Sequence, residues 1–185
     1  MRWLPNAITV ARLIAVPFLL WLLLSEAGPT SVTGAVLFAV LAFTDLVDGR
    51  LARLLDAQTS FGRIADPLAD RLLMAVGLIG LLVLGRFPWP GPAIILIRDA
   101  LIMVGFVLLV RRGIGLRVEM AGKISSALNM MVVALGLITA AVWVDVLLWV
   151  AVALSVVTFA NYARRAVVRL HTAHTHDVGD ASTGA

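Results

Sequence analysis

The chain has 185 residues, 61% of them hydrophobic and 14% charged, with a formal net charge of +4 and no cysteine. That length suits one domain, and a mean hydropathy of +1.01 stands well above the roughly half-apolar composition of soluble proteins, which excludes a water-soluble enzyme and points to a polytopic membrane protein. Disulfides and thiolate metal sites are excluded as well, and the basic residues, which gather on one side of the predicted membrane, suit an anionic lipid surface and not a nucleic acid.

Six apolar spans are predicted, giving an all-α integral membrane protein. Residues 1–5 form a short basic and aromatic lead-in, with Trp3 suited to the headgroup level. The first span covers about 7–24, enough to cross a bilayer core of about 30 Å and too long for a signal-peptide core. A turn with Gly28 and Pro29 leads to the second span, about 32–51, and a short polar segment with Asp56, Gln58, Thr59 and Ser60 leads to the third, about 62–84. The proline-rich turn Arg86-Phe87-Pro88-Trp89-Pro90-Gly91-Pro92 precedes the fourth, about 93–110. A basic loop follows, then a fifth span over about 123–143, a turn at Asp145 and a sixth span over about 146–163. The membrane domain is placed at 1–170, and the polar, small-residue tail 171–185 is predicted to be disordered. His171, His174, His176 and Asp177 resemble a metal cluster in composition, but an unanchored tail is the better reading.

Lysines and arginines partition between the two sides. Arg2, Arg50, Arg53, Arg63, Arg111, Arg112, Arg117, Lys123, Arg164, Arg165 and Arg169 fall at the termini and in the second and fourth connections, whereas the opposite loops hold only Arg86. The positive-inside rule therefore places both termini in the cytoplasm and predicts a cytoplasm-facing active-site cavity in the cell membrane. Trp89 and Trp143 then fall at the outer interface.

Chemistry concentrates between Asp45 and Asp70, in Asp45-x2-Asp48-Gly49-x2-Ala52-Arg53-x8-Gly62-x3-Asp66-x3-Asp70. Acids at the edge of a bilayer are costly, so four of them mark a functional site. At about 100° per residue, Asp48, Gly49 and Ala52 lie within about 60° of Asp45 on one helix face, with Arg53 at its border. Asp66 and Asp70 are one turn apart on the next helix. If the two helices run antiparallel the carboxylate faces meet, and they stay ionised together only with cations among them. Oxygen-only ligands favour Mg²⁺, Mn²⁺ or Ca²⁺. The small residues leave room for a ligand, and Arg53 is suited to clamp phosphate.

This eight-position pattern resembles, without departure, the signature of the CDP-alcohol phosphotransferase family, integral membrane enzymes of phospholipid synthesis. The resemblance implies a phosphatidyl group moved from CDP-diacylglycerol to a hydroxyl acceptor, with CMP released. It implies two ions, Mg²⁺ or Mn²⁺, with Asp45 and Asp66 contacting both, Asp48 joining one and Asp70 the other. It also makes Asp70 the base that takes the acceptor proton, though the residues alone do not say which aspartate serves. Gly49, Ala52 and Gly62 would give the nucleotide close backbone approach, and a homodimer is expected.

Three further places carry weight. Pro5-Asn6-Ala7-Ile8-Thr9-Val10-Ala11-Arg12 resembles the opening of many family members, and Asn6 and Thr9 are candidates to reach the donor, with a helix cap by Asn6 as the plainer reading. Arg98 and Asp99 lie well inside the fourth span, where charges face the bundle interior or a wet cavity. Adjacent helical residues point about 100° apart, which argues against a simple pair between them and leaves interhelical ion pairing and substrate contact. By resemblance, Arg-Asp points to cardiolipin synthases and Arg-Glu to phosphatidylglycerophosphate synthases, so phosphatidylglycerol is read here as the acceptor, with glycerol 3-phosphate as the alternative and inositol phosphate third. Finally, Gly122-Lys123 resembles both branches, and Lys123 and Arg98, with the loop residues Arg111 and Arg117, are the candidates for an acceptor phosphate. The alternative from another class is a cation or proton transporter using its intramembrane aspartates, which would have no use for Arg53 as a phosphate clamp.

Overall fold

In the computed structural model, which describes residues 3–54, 62–111 and 120–182, every described regular element is a helix. In chain order they are α1 (Trp3–Ser25), α2 (Val32–Leu54), α3 (Gly62–Val83), α4 (Pro90–Arg111), α5 (Met120–Ile138) and α6 (Val142–Ser182). α3 sits centrally, packed on α1, α2, α4 and α5, while α6 lies against α4 and α5. The core between them is apolar, with Leu19 and Leu23 of α1, Phe38 of α2, Leu73 and Leu81 of α3 and Val133 of α5 almost fully buried. Helices approach closely where a glycine faces a large side chain. A methyl group on Gly34 or Gly80 would collide with Leu23, and one on Gly136 with Phe87.

The outside of the bundle is apolar too. Phe18, Trp21, Phe43, Ile97, Leu101 and Trp149 are all exposed, a surface suited to hydrocarbon. Among the described residues one segment, Val142–Arg165, is long and apolar enough to cross a membrane, and Ile14–Ser25, Val32–Thr44 and Gly122–Ile138 are shorter apolar helices.

Local sequence explains the turns. Ser31 caps α2: its Oγ accepts the Gly34 N–H at 3.0 Å and donates to Glu26 at 2.7 Å, satisfying a helix donor that would otherwise lack a partner. α3 ends in a Schellman motif. Gly85 takes a φ of 65°, a conformation suited to glycine, and the Gly85 and Arg86 N–H groups bond back to Leu82 and Leu81.

The turn delivers Arg86 into the space beside α5 and α6. Its Nε donates to Thr139 O at 3.0 Å, Nη2 to Ala141 O at 3.1 Å and Nη1 to Asp145 at 2.6 Å, and the guanidinium lies 4.5 Å from the Phe87 ring centre. The Ser31 N–H, in turn, bonds Leu137 O at 2.8 Å. The α1–α2, α3–α4 and α5–α6 connections are thus pinned together at one face, where Trp89 and Trp143 stand exposed.

Two boundaries differ from expectation. The fifth helix ends at Ile138, and Asp145 sits in the first turn of α6 instead of in a turn. An acid there suits the positive end of a helix, and Arg86 takes up the carbonyls freed at 139 and 141. The backbone of α6 also continues helical to Ser182 across residues predicted to be irregular, in a stretch free of proline. The side chains of His171, His174, His176 and Asp177 lie outside the described residues.

Candidate active site

Pinning one face of the bundle places the motif at the other. Asp45, Asp48, Gly49, Ala52 and Arg53 occupy the end of α2, and Gly62, Asp66 and Asp70 the beginning of α3. The opposite ends of those helices belong to the pinned face, and α2 packs on α3. The start of α1 with Asn6 and Thr9, the end of α4 with Arg111 and the start of α5 with Gly122 and Lys123 reach the motif face as well. Asn6 lies inside α1, which begins at Trp3, so it is not the helix cap. The side chains of Asn6, Thr9, Asp45, Asp48, Ala52, Arg53, Asp66 and Arg111 lie outside the described residues, as do Arg117 and the connection with Asp56.

Backbone geometry still constrains the site. With a rise of about 1.5 Å per residue, Asp45 and Asp48 are separated by about 4.5 Å along α2, and Asp66 and Asp70 by about 6 Å along α3. Asp70 is half-buried beside the fully buried Ala69. Among the described residues no three His, Cys, Asp or Glu side chains gather around a metal position, and three of the four motif aspartates stand outside that set. The donor set itself is all carboxylate, on two packed helix ends, and it fits hard divalent cations.

Behind the motif face runs a buried polar seam. Asp99 Oδ1 accepts from Arg71 Nη1 and from Arg98 Nη1, each at 2.8 Å. Arg98 Nη2 donates to Thr158 Oγ1 at 3.0 Å, and Thr158 is bonded in turn to the α6 backbone at Leu154 and Ser155. One turn deeper, Ser155 meets Ser125 at 3.1 Å and Asn129 Nδ2 at 3.1 Å. Four helices share this seam. Arg98 and Asp99 do pair, against the expectation from helix angles, because the arginine stem is long enough to fold back over the neighbouring residue. The interhelical reading holds as well, through Arg71. Buried among these partners, Arg98 Nε has no hydrogen-bond partner among the described residues.

Arg71, Thr158, Ser125, Asn129 and Ser155 were not singled out from the sequence. The signals were present: Arg71 is a charge inside a span, and Ser155, Thr158 and Tyr162 recur at helical spacing in an apolar helix. Lys123 is exposed. Its neighbour Gly122 seats the Tyr162 ring, since a methyl group there would come 2.6 Å from the phenolic oxygen.

Residues 2–157 match the family model described as CDP-alcohol phosphatidyltransferase. The chain belongs to the CDP-alcohol phosphatidyltransferase family. It is a phosphatidyltransferase, and the family's described match spans both halves of the aspartate motif. The chain is 33% identical over 171 residues to a Mycobacterium tuberculosis protein named "Probable phosphatidylglycerophosphate synthase", covering 89% of this chain and 81% of that one. It is 32% identical over 178 residues to a Bacillus subtilis protein named "CDP-diacylglycerol--glycerol-3-phosphate 3-phosphatidyltransferase", covering 86% and 92%. A Streptomyces coelicolor protein named "Cardiolipin synthase (CMP-forming)" is 38% identical over 113 residues, covering 60% of this chain and 53% of that one.

Proposed function

We propose that this phosphatidyltransferase uses CDP-diacylglycerol as donor and glycerol 3-phosphate as acceptor, in a six-span bundle whose motif end faces the cytoplasm. A homodimer, as the family resemblance implies, is part of the same reading. The observation that carries it is the joining of both halves of the aspartate motif at one end of the bundle, on the ends of α2 and α3.

In the reaction, the acceptor hydroxyl oxygen forms a bond to the lipid-side phosphorus. The bond from that phosphorus to the oxygen bridging to CMP breaks, and CMP leaves with the electron pair. Asp70 takes the hydroxyl proton. Asp45, Asp48, Asp66 and Asp70 would hold two ions, Mg²⁺ or Mn²⁺, which when bound neutralise diphosphate charge. Arg53 grips the donor diphosphate beside Gly49, Ala52 and Gly62, with Asn6 and Thr9 entering from α1. A lysine keeps the charge of Arg53 but not its two-pronged fork, so Arg53→Lys is expected to raise the apparent KM for CDP-diacylglycerol about tenfold and leave that for the acceptor within about twofold. An unchanged donor KM would remove Arg53 from the diphosphate site.

The acceptor differs from the one first read from Arg98-Asp99. Relatives matching most of this chain carry glycerol 3-phosphate or phosphatidylglycerophosphate in their names, and the cardiolipin synthase matches a shorter stretch. Asp99 also has a local reason to be an aspartate, since it joins two arginines, which weakens it as a marker of the acceptor. Lys123 supplies the contact to the acceptor phosphate, with Arg111 and Arg117 as further basic residues of that end and the Arg98 charge behind them.

Purified protein given CDP-diacylglycerol and each acceptor in turn tests the reading. Metal-dependent CMP release with glycerol 3-phosphate, and little with phosphatidylglycerol, is the expected result. Cardiolipin as the main product would reverse the acceptor assignment, and ion flux in vesicles without CMP release would revive the transporter alternative. Lys123→Ala is expected to raise the acceptor KM at least about tenfold with donor KM near normal. The reverse pattern would move Lys123 to the donor side.

A further inference from the structure

Arg71 follows Asp70 directly on α3 and is tied by a 2.8 Å ion pair to Asp99 on α4. Asp99 is 10% exposed, and the same oxygen also holds Arg98, which is 4% exposed and bonded across to Thr158 on α6. The three links form one continuous line from α6 through α4 to α3. It reaches α3 next to the carboxylate stripe of Asp66 and Asp70.

From this line we infer that Asp99 is a positioning residue for phosphatidyl transfer, acting through Arg71 to set the rotation of α3 about its own axis and so the aim of Asp66 and Asp70. This rests on the transferase reading above and deepens it. The leverage follows from helix dimensions. An aspartate oxygen lies about 6 Å from the helix axis, so a rotation of about 10° carries it about 1 Å. A displacement of that size can cost about a hundredfold in rate. The apolar neighbours Ala69 and Leu73, both fully buried, resist lateral movement of α3 but give little directional hold against such a turn. A charge-assisted bond supplies direction. Because both guanidinium groups share one carboxylate, losing its charge leaves the buried Arg98 and the partly exposed Arg71 cations facing each other and weakens both links together.

The experiment compares wild type, Asp99→Asn, Arg71→Lys and the double variant, all as full chains in detergent. Mn²⁺ binding is followed by electron paramagnetic resonance without substrates, and CMP release is measured in parallel. Asp99→Asn is expected to weaken Mn²⁺ binding about tenfold and to lower kcat by about 10- to 100-fold, with the KM values of both substrates within about threefold. Arg71→Lys keeps the charge, provides a folded second variant and is expected to shift Mn²⁺ binding in the same direction. The double variant is expected to be no worse than the poorer single one, as for residues acting through one link. Wild-type Mn²⁺ affinity and wild-type kcat in folded Asp99→Asn would overturn the inference, as would a change confined to acceptor KM. A wild-type protein that releases no CMP under any condition would strike instead at the transferase reading, and the Mn²⁺ titration would still decide whether Asp99 sets the metal ligands.

Discussion

Exchange of Asp66 for asparagine is expected to abolish CMP release while leaving the helical bundle intact. Asparagine has nearly the same shape and a similar helix propensity, so the first turns of α3 lose a charge and little else. If four carboxylates hold two cations, removing one weakens both the ions and the field that neutralises the diphosphate. A fall in kcat of at least about 10³-fold, or about 4 kcal/mol of barrier, is the expected scale. The same loss is expected at Asp45, Asp48 and Asp70, and in wild-type protein treated with a chelator, where added Mg²⁺ or Mn²⁺ should restore activity. Circular dichroism and thermal melting check that the variant is folded. Near-normal turnover in Asp66→Asn would sink the two-metal reading.

The largest expected effect on stability lies at the other end of the bundle, at Arg86. Its side chain is 4% exposed, and one guanidinium satisfies the Thr139 and Ala141 carbonyls together with Asp145. Asp145 is 35% exposed, so water screens part of that ion pair and the two carbonyls carry more of the loss. Arg86→Ala is expected to cost about 3 kcal/mol, from acceptors left without partners and lost contact with Phe87. Arg86→Lys should recover less than half of it, because an ammonium cannot reach three acceptors in a fixed fork. Melting followed by tryptophan fluorescence reads the change, with Trp89 and Trp143 close by. CMP release per folded molecule should stay near the wild-type value, and a melting curve matching wild type would show the clamp to be dispensable.

How far the sequence announced this architecture varies by element. The placement of the motif halves was legible because the apolar runs mark where α2 and α3 lie, and the fixed spacing puts one half at the end of α2 and the other at the start of α3. The Arg98–Asp99 pair was not, because helix angles describe where side chains begin and not where a long arginine ends. Arg71 escaped notice for a related reason: its partner is 28 residues away in the chain, and no local pattern signals a pair at that separation. The end of α5 was misplaced because Asp145 reads as a polar turn residue until Arg86, brought in by the Gly85 turn, is seen to neutralise it.

The pinned connections have a mechanical consequence. α3 has 22 residues, which makes it about 33 Å long. With one end tied through Arg86 to Asp145 and the motif half tied through Arg71 to Asp99, the helix is held toward both ends. A tilt of about 5° about the pinned face would displace the motif end by about 3 Å and Arg71 by about half as much, enough to part the 2.8 Å pair with Asp99. Movement of α3 that widens the substrate end therefore has to break the Arg71–Asp99 pair, even though it leaves the clamp at the other face intact.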